Sequence, residues 1–215
     1  MKKFGKKILM LLMAIVVLVT PTFTGAVRQE VHNDRNYNWY IDQGNTGWAS
    51  NSNCGPSSSV MVEKWFNRNT IATAAGARDR YPMQGGWWST NTVSQYLNDQ
   101  RIPNRTIVYN GEDTLTDILN NGNIAIVCVN TGFISFNNNN NSNIGRFYNY
   151  QGGHFLVVKG YTHINNRLYF EVYDPNNWGE MYFNGQPKGK DRLYAANELS
   201  QSIFRWWGNI IVIGW

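Results

Sequence analysis

The apolar residues of this chain change their spacing halfway along, and that change limits the folds open to it. Between Pro56 and Asn67 they recur at helical intervals: Met61 pairs with Trp65, and Val62 with Phe66. Thr70 to Arg80 continues as a second helical stretch, which Pro82 stops. Thr90 can cap a third helix running to about Asp99, with Val93 and Leu97 on one face, and Asp113 to Asn120 makes a short fourth. Beyond these, the blocks Ile124–Val129, His154–Lys159, Leu168–Tyr173 and Phe204–Ile213 have the β-branched and aromatic composition of strands. Helices first and strands afterwards is the order of an α+β domain. It predicts N-terminal helices packed on a C-terminal antiparallel β-sheet. Asn137 to Asn141, with Ser142 and Asn143 after it, has nothing apolar to bury and predicts a flexible surface loop.

The first 26 residues stand apart from this domain. Lys2, Lys3, Lys6 and Lys7 precede an apolar run from Ile8 to Val19, and Thr24-Gly25-Ala26 offers small residues at a cleavage position. This is the pattern of a secretory signal peptide over 1–26, cut after Ala26; the run is short for a membrane span. An uncleaved anchor is the alternative. The folded domain is then 27–215, the product is expected outside the cell, and membrane contact belongs to export alone. Four of the 19 Lys and Arg residues lie in this segment, which leaves 15 against 14 Asp and Glu. No basic cluster follows residue 27, so a nucleic-acid partner is not expected. Nothing here encodes the oligomeric state.

Chemistry concentrates around Cys54. It opens Cys54-Gly55-Pro56-Ser57-Ser58-Ser59 after a polar loop, and Gly55 and Pro56 are residues that start helices. A thiol at a helix N-terminus feels the positive end of the dipole, which favours the nucleophilic thiolate. Acyl transfer also needs a base, a group to orient it, and donors for the oxyanion. His154, in Gly152-Gly153-His154-Phe155-Leu156, is the candidate base, held at the lip of a strand. His32 lies in a polar, loose lead-in and His163 in a turn, and both are expected to be solvated. If 154–159 and 168–173 form a hairpin, a turn centred on Ile164 sets Asp174 opposite His154. A tight Asn165-Asn166 turn sets Asn177 there instead, and a carboxylate or an amide (Asn176 included) could fix the imidazole. The Cys54 N–H and the Gln43 amide are candidate oxyanion donors, with Asn45, Asn51 and Asn53 weaker ones.

Gln43, then Cys54-Gly55-Pro56 leading a hydrophobic helix, then Gly153-His154-Phe155-Leu156-Val157-Val158, then Tyr173-Asp174-Pro175 resembles the bacteriocin-processing (double-glycine peptidase-like) branch of the papain superfamily. Leu119 to Val129 resembles that family's helix, glycine and buried strand before the histidine. The likeness runs from Gln43 to the C-terminus. It implies a papain-like cysteine peptidase fold and a peptide or protein substrate. It also implies a triad of Cys54, His154 and Asp174, with Gln43 in the oxyanion hole. The double-glycine substrate of transporter-fused members is not implied, since this chain carries its own export signal.

Other readings keep part of this pattern. A cell-wall amidase or endopeptidase would use the same triad on peptidoglycan stem peptides. An inactive exported binding domain would keep only the fold, with its tryptophans as the binding face, and a Cys54–Cys128 disulfide would support it. Cys128 alternates with Ile124 and Ile126, so an inert buried thiol is its default. The nine tryptophans read first as core and sheet packing, and second as a cleft lining. Three scattered histidines and two distant cysteines match no metal-ligand spacing, and no cofactor is expected.

Overall fold

The computed structural model describes residues 29–82 and 86–214. The expected signal peptide over 1–26 lies outside the described residues. Among the described residues no helix is long and apolar enough to cross a membrane.

The elements are β1 (Val31–His32), α1 (Cys54–Phe66), α2 (Ala74–Arg80), α3 (Thr90–Asp99), β2 (Asn104–Val108), α4 (Glu112–Asn120), β3 (Ile124–Asn130), β4 (Gly153–Ile164), β5 (Arg167–Tyr173), β6 (Arg192–Ala195), α5 (Ala196–Phe204) and β7 (Asn209–Ile213). The strands form one sheet in the order β2-β7-β3-β4-β5-β6, and β1 pairs with the far half of β4. Every pairing is antiparallel. This is the expected α+β architecture.

Both faces of the sheet are covered, which is why β3 reads as a continuous apolar run rather than an alternating one. Ile124, Ile126 and Cys128 pack with Val60, Met61 and Leu97 on the α1–α3 side. Ala125, Val127 and Val129 pack with Leu115, Leu119 and Leu199 on the α4–α5 side. Fully burying each such aliphatic side chain contributes roughly 1.5–3 kcal/mol.

Several expectations shift. Helix α2 starts at Ala74 rather than Thr70, because Thr73 caps it by accepting from Gly76 N–H. Ser89, not Thr90, caps α3. The expected strand from Phe204 begins only at Asn209, since α5 runs through Phe204 with Leu199 and Ile203 buried on one face. Strand β2 was hidden by its mostly exposed pattern. The lead-in is not loose. Asn33 donates its amide to the carbonyls of Leu119 and Asn123 at 2.8 Å each, and Trp39 is buried against Tyr173. His32 is not free in solvent either: Nδ1 lies 2.7 Å from Glu171 Oε2. His163 lies on β4, not in a turn, edge-on to Tyr161.

The Asn tract is tied down as well. Arg192, fully buried, donates to the carbonyls of Asn137, Ser142, Ile144 and Gly145. A guanidinium carries five N–H groups in a fixed fork, and this one holds four points of a single loop.

Candidate active site

Cys54 is the first residue of α1. Ser57 N–H donates to Asn53 O at 2.9 Å as the first bond of the helix, and Pro56 has no N–H. The N–H groups of Cys54 and Gly55 therefore have no acceptor within the helix. Gly55 permits the close approach of this turn to the tryptophan beside it: a Cβ there would lie 2.9 Å from Trp88 Cβ.

His154 comes from β4, opposite Val129 of β3. Its Nε2 pairs with Asp174 Oδ1 at 2.8 Å, and the ring also hydrogen-bonds the Cys54 thiol. With Nε2 taken, Nδ1 is the nitrogen left for sulfur. Burial alone would pull the imidazole down, but the Asp174 charge and hydrogen bond, with Cys54, push it up to about 10.

Asp174 is fully buried and every bond of its carboxylate is fixed. Oδ1 also accepts the Asn176 N–H at 2.9 Å; Oδ2 accepts Tyr148 Oη at 2.9 Å and Tyr194 Oη at 2.5 Å. Burial would raise it, yet His154 and these donors hold it below the usual carboxylate range. The hairpin turn is the tight Asn165-Asn166 one, with φ of 48° and 69°. A one-residue bulge between Val158 and Gly160 then resets the register, and Val157 faces Tyr173. Continued, that register sets His154 opposite position 176; β5 ends at Tyr173, and Asp174 meets the imidazole as the chain leaves the sheet. The amides of Asn176 and Asn177 are engaged elsewhere: Asn176 Oδ1 accepts from Trp178 Nε1, and Asn177 Nδ2 donates to Asp42.

Gln43 is buried on the cavity wall shared with His154. Its Nε2 donates to Ser50 O at 3.2 Å, which leaves a second N–H on the amide, and its backbone N–H donates to Pro175 O at 2.8 Å. Asp42 clamps the two loops together. Its carboxylate accepts from the N–H groups of Gly44, Trp178 and Gly179 at 2.7–2.9 Å. Of the weaker amide candidates, Asn51 lines the same cavity, Asn53 lies in a buried network, and Asn45 faces a different cavity.

Two hollows flank His154. One, of about 380 Å³, carries Gln43, Asn51, Asn176 and Trp178. The other, of about 230 Å³, carries Cys54, Trp88, Cys128, Phe155 and Trp206. Trp87 and Tyr150 border both and stack at 6.2 Å and 17°. The tryptophans divide: Trp39, Trp65 and Trp88 are core, while Trp87, Trp178 and Trp206 are about half exposed around the cleft. A third cavity, of about 370 Å³ under the Asn tract, shares no residue with the cleft.

Cys54 and Cys128 are both free thiols, so the disulfide alternative is not the arrangement found. Burial foremost, then Cys54, pushes the Cys128 thiol up to about 12, while a Trp206 hydrogen bond opposes this. It is the inert thiol the strand pattern implies.

The residues missed from sequence are those that hold the site: Tyr148, Tyr194, Asp42 and Arg78. Asp42 adjoins Gln43, but no local signal marks the two tyrosines or Arg78.

No protein-family profile and no curated protein matches this chain. Among solved structures, it is similar to a Bacillus anthracis protein described as a C39-like peptidase, at 11% identity over 87% of this chain and 98% of that one, with a TM-score of 0.57. It is also similar to UfSP from C. elegans, at 14% identity and a TM-score of 0.54, over 87% of this chain and 34% of that one. This chain spans about a third of that longer protein. The peptidase domain of Streptococcus ComA aligns over 77% of this chain and 93% of its own, at 17% identity and a TM-score of 0.49. The fold is that of C39-like, papain-like peptidases.

Proposed function

We propose that this chain is an exported cysteine peptidase acting through Cys54, His154 and Asp174. The observation that carries the reading is the hydrogen-bonded row from Asp174 Oδ1 through His154 to the Cys54 thiol, at a helix start beside an open cleft. Asp174 holds the imidazole in place and raises its proton affinity, which suits His154 to take the proton of the thiol.

The thiolate attacks the peptide carbonyl carbon. The Cys54 N–H and the Gln43 amide donate to the oxyanion that forms. His154 then returns its proton to the leaving amine as the C–N bond breaks, giving an acyl-enzyme. Water, deprotonated by His154, attacks the thioester; the C–S bond breaks, and the thiolate–imidazolium pair is restored. Trp87, Tyr150, Trp178 and Trp206 border the cleft and suit an extended peptide with apolar side chains. Export rests on the pattern of residues 1–26.

Brief treatment with iodoacetamide at mildly acidic pH, read by mass spectrometry, tests the site. Fast labelling of Cys54 alone, lost in H154A, is expected, together with cleavage of a peptide library that C54A abolishes. Slow labelling independent of His154 would rule the reading out.

A further inference from the structure

We propose that Arg78, acting through Asn53, is a positioning residue that fixes both oxyanion donors and brings to Cys54 the buried positive charge that offsets its thiolate. The proposal rests on Cys54 being the nucleophile.

Arg78 lies in α2 and is 1% exposed. All five of its N–H groups have an acceptor. Nε donates to Asn53 Oδ1 at 2.7 Å. Nη2 donates to Ser52 O at 2.7 Å and Ser52 Oγ at 3.4 Å, and Nη1 to Gly86 O at 2.8 Å and Pro82 O at 3.3 Å. None of these acceptors is a carboxylate. Burying a guanidinium without a counter-ion is costly, and an apolar side chain would fill the space at less cost. Its acceptors Ser52 and Asn53 directly precede Cys54, whose thiolate in the proposed mechanism is the anion it would offset. Burial pulls the guanidinium down from its ordinary value and the Cys54 charge pushes it back, so the two feel each other.

The charges close on the same answer. Thiolate, imidazolium and carboxylate together carry one net negative charge, and all three residues are buried. Arg78 brings the sum to zero. Among the described residues, groups that feel the Cys54 charge include His154 from β4, Cys128 from β3, Tyr150 from the loop before β4 and Arg78 from α2. Cys128 and Tyr150 are both raised, chiefly by burial, and stay neutral. His154 and Arg78 are the cations.

Arg78 also reaches Gln43. Asn53 Nδ2 donates to Thr46 Oγ1 at 2.9 Å, and Thr46 Oγ1 donates to Gln43 O at 2.5 Å. One run of bonds, Arg78–Asn53–Thr46–Gln43, therefore joins the segments that carry the two oxyanion donors. The bond to Gly86 ties in the residue next to Trp87.

Two small probes on the full chain separate the roles. Iodoacetamide reports the thiolate by direct displacement and needs no oxyanion hole; p-nitrophenyl acetate acylates Cys54 through an oxyanion and needs one. In R78Q, shown folded by circular dichroism, the iodoacetamide profile is expected to move up by on the order of one pH unit and acylation to fall on the order of a hundredfold. R78K keeps the charge but not the fork. Its iodoacetamide profile is expected to stay with wild type, while acylation remains about tenfold down. A folded R78Q with wild-type behaviour toward both probes overturns the proposal. If R78Q does not fold, wild-type acylation in R78K overturns it. A wild-type Cys54 no faster than free cysteine sinks the nucleophile reading instead, whatever Arg78 does.

Discussion

Tyr194 donates its hydroxyl to Oδ2 of Asp174 at 2.5 Å, on the carboxylate oxygen that His154 does not use. Both residues are fully buried. In Y194F one buried acceptor site loses its donor, which is expected to cost about 1–3 kcal/mol in urea unfolding. The carboxylate then holds its charge less well, so His154 holds its proton less well, and labelling of Cys54 at neutral pH slows. Y194F with unchanged stability and unchanged labelling would show that Tyr148 alone suffices.

In the proposed mechanism Gln43 acts on the oxyanion, not on the sulfur. Q43A is expected to lower peptide hydrolysis by on the order of a hundredfold or more while iodoacetamide labelling of Cys54 keeps its wild-type rate. Equal losses in the two assays would mean that Gln43 supports the thiolate instead.

The His154–Asp174 pair makes stability depend on pH. His154 is raised from an ordinary value of 6.5 to about 10, so its contribution is complete below 6.5 and is lost as pH rises through about 10. Asp174 is depressed from 3.8, so its contribution is present above that value and is lost as pH falls through the folded one. The gap in urea midpoint between wild type and H154A is expected to be widest between about pH 4 and pH 6.5, narrowing on both sides. A gap independent of pH would mean that lost packing, not the ion pair, sets it.

Arg192 holds the Asn tract. R192M strands the carbonyls of Asn137, Ser142 and Gly145, while Ile144 O still accepts from the Asn137 amide, and is expected to destabilise the fold by on the order of 3 kcal/mol. Limited proteolysis is expected to cut between 137 and 145 in R192M and to spare wild type. Equal cutting in both would mean the tract is loose regardless of Arg192.

What could be read from the sequence was local, and what could not was held from afar. Met61 with Trp65 and Val93 with Leu97 announce their helices because the period lies within a few neighbours. Leu199 and Ile203 carried the same signal for α5, but the β-rich run after Phe204 masked it. The Asn tract looked loose because its composition lacks anything to pack, while its anchor Arg192 lies about fifty residues on. The lead-in looked loose for the same reason: Asn33 finds its partners at Leu119 and Asn123. Cys54, His154, Asp174 and Gln43 were visible as residue types in order. The tyrosines behind Asp174 were not, since a phenol has no sequence context that tells a carboxylate clamp from core.

The bulge at Lys159 works as a vernier on the hairpin. A turn of two asparagines would by itself step β5 past β4 so that His154 looks toward position 177. The extra residue slides the strands by one position, about 3.3 Å, to position 176, and because β5 ends at Tyr173 it is Asp174, leaving the sheet, that reaches the ring. The setting is locked by charge: the Lys159 amine, fully buried, sits within 3.0 Å of Asp34, Glu171 and Asp191. The register that brings β5 toward the histidine is thus set five residues away from it, by a residue outside the site.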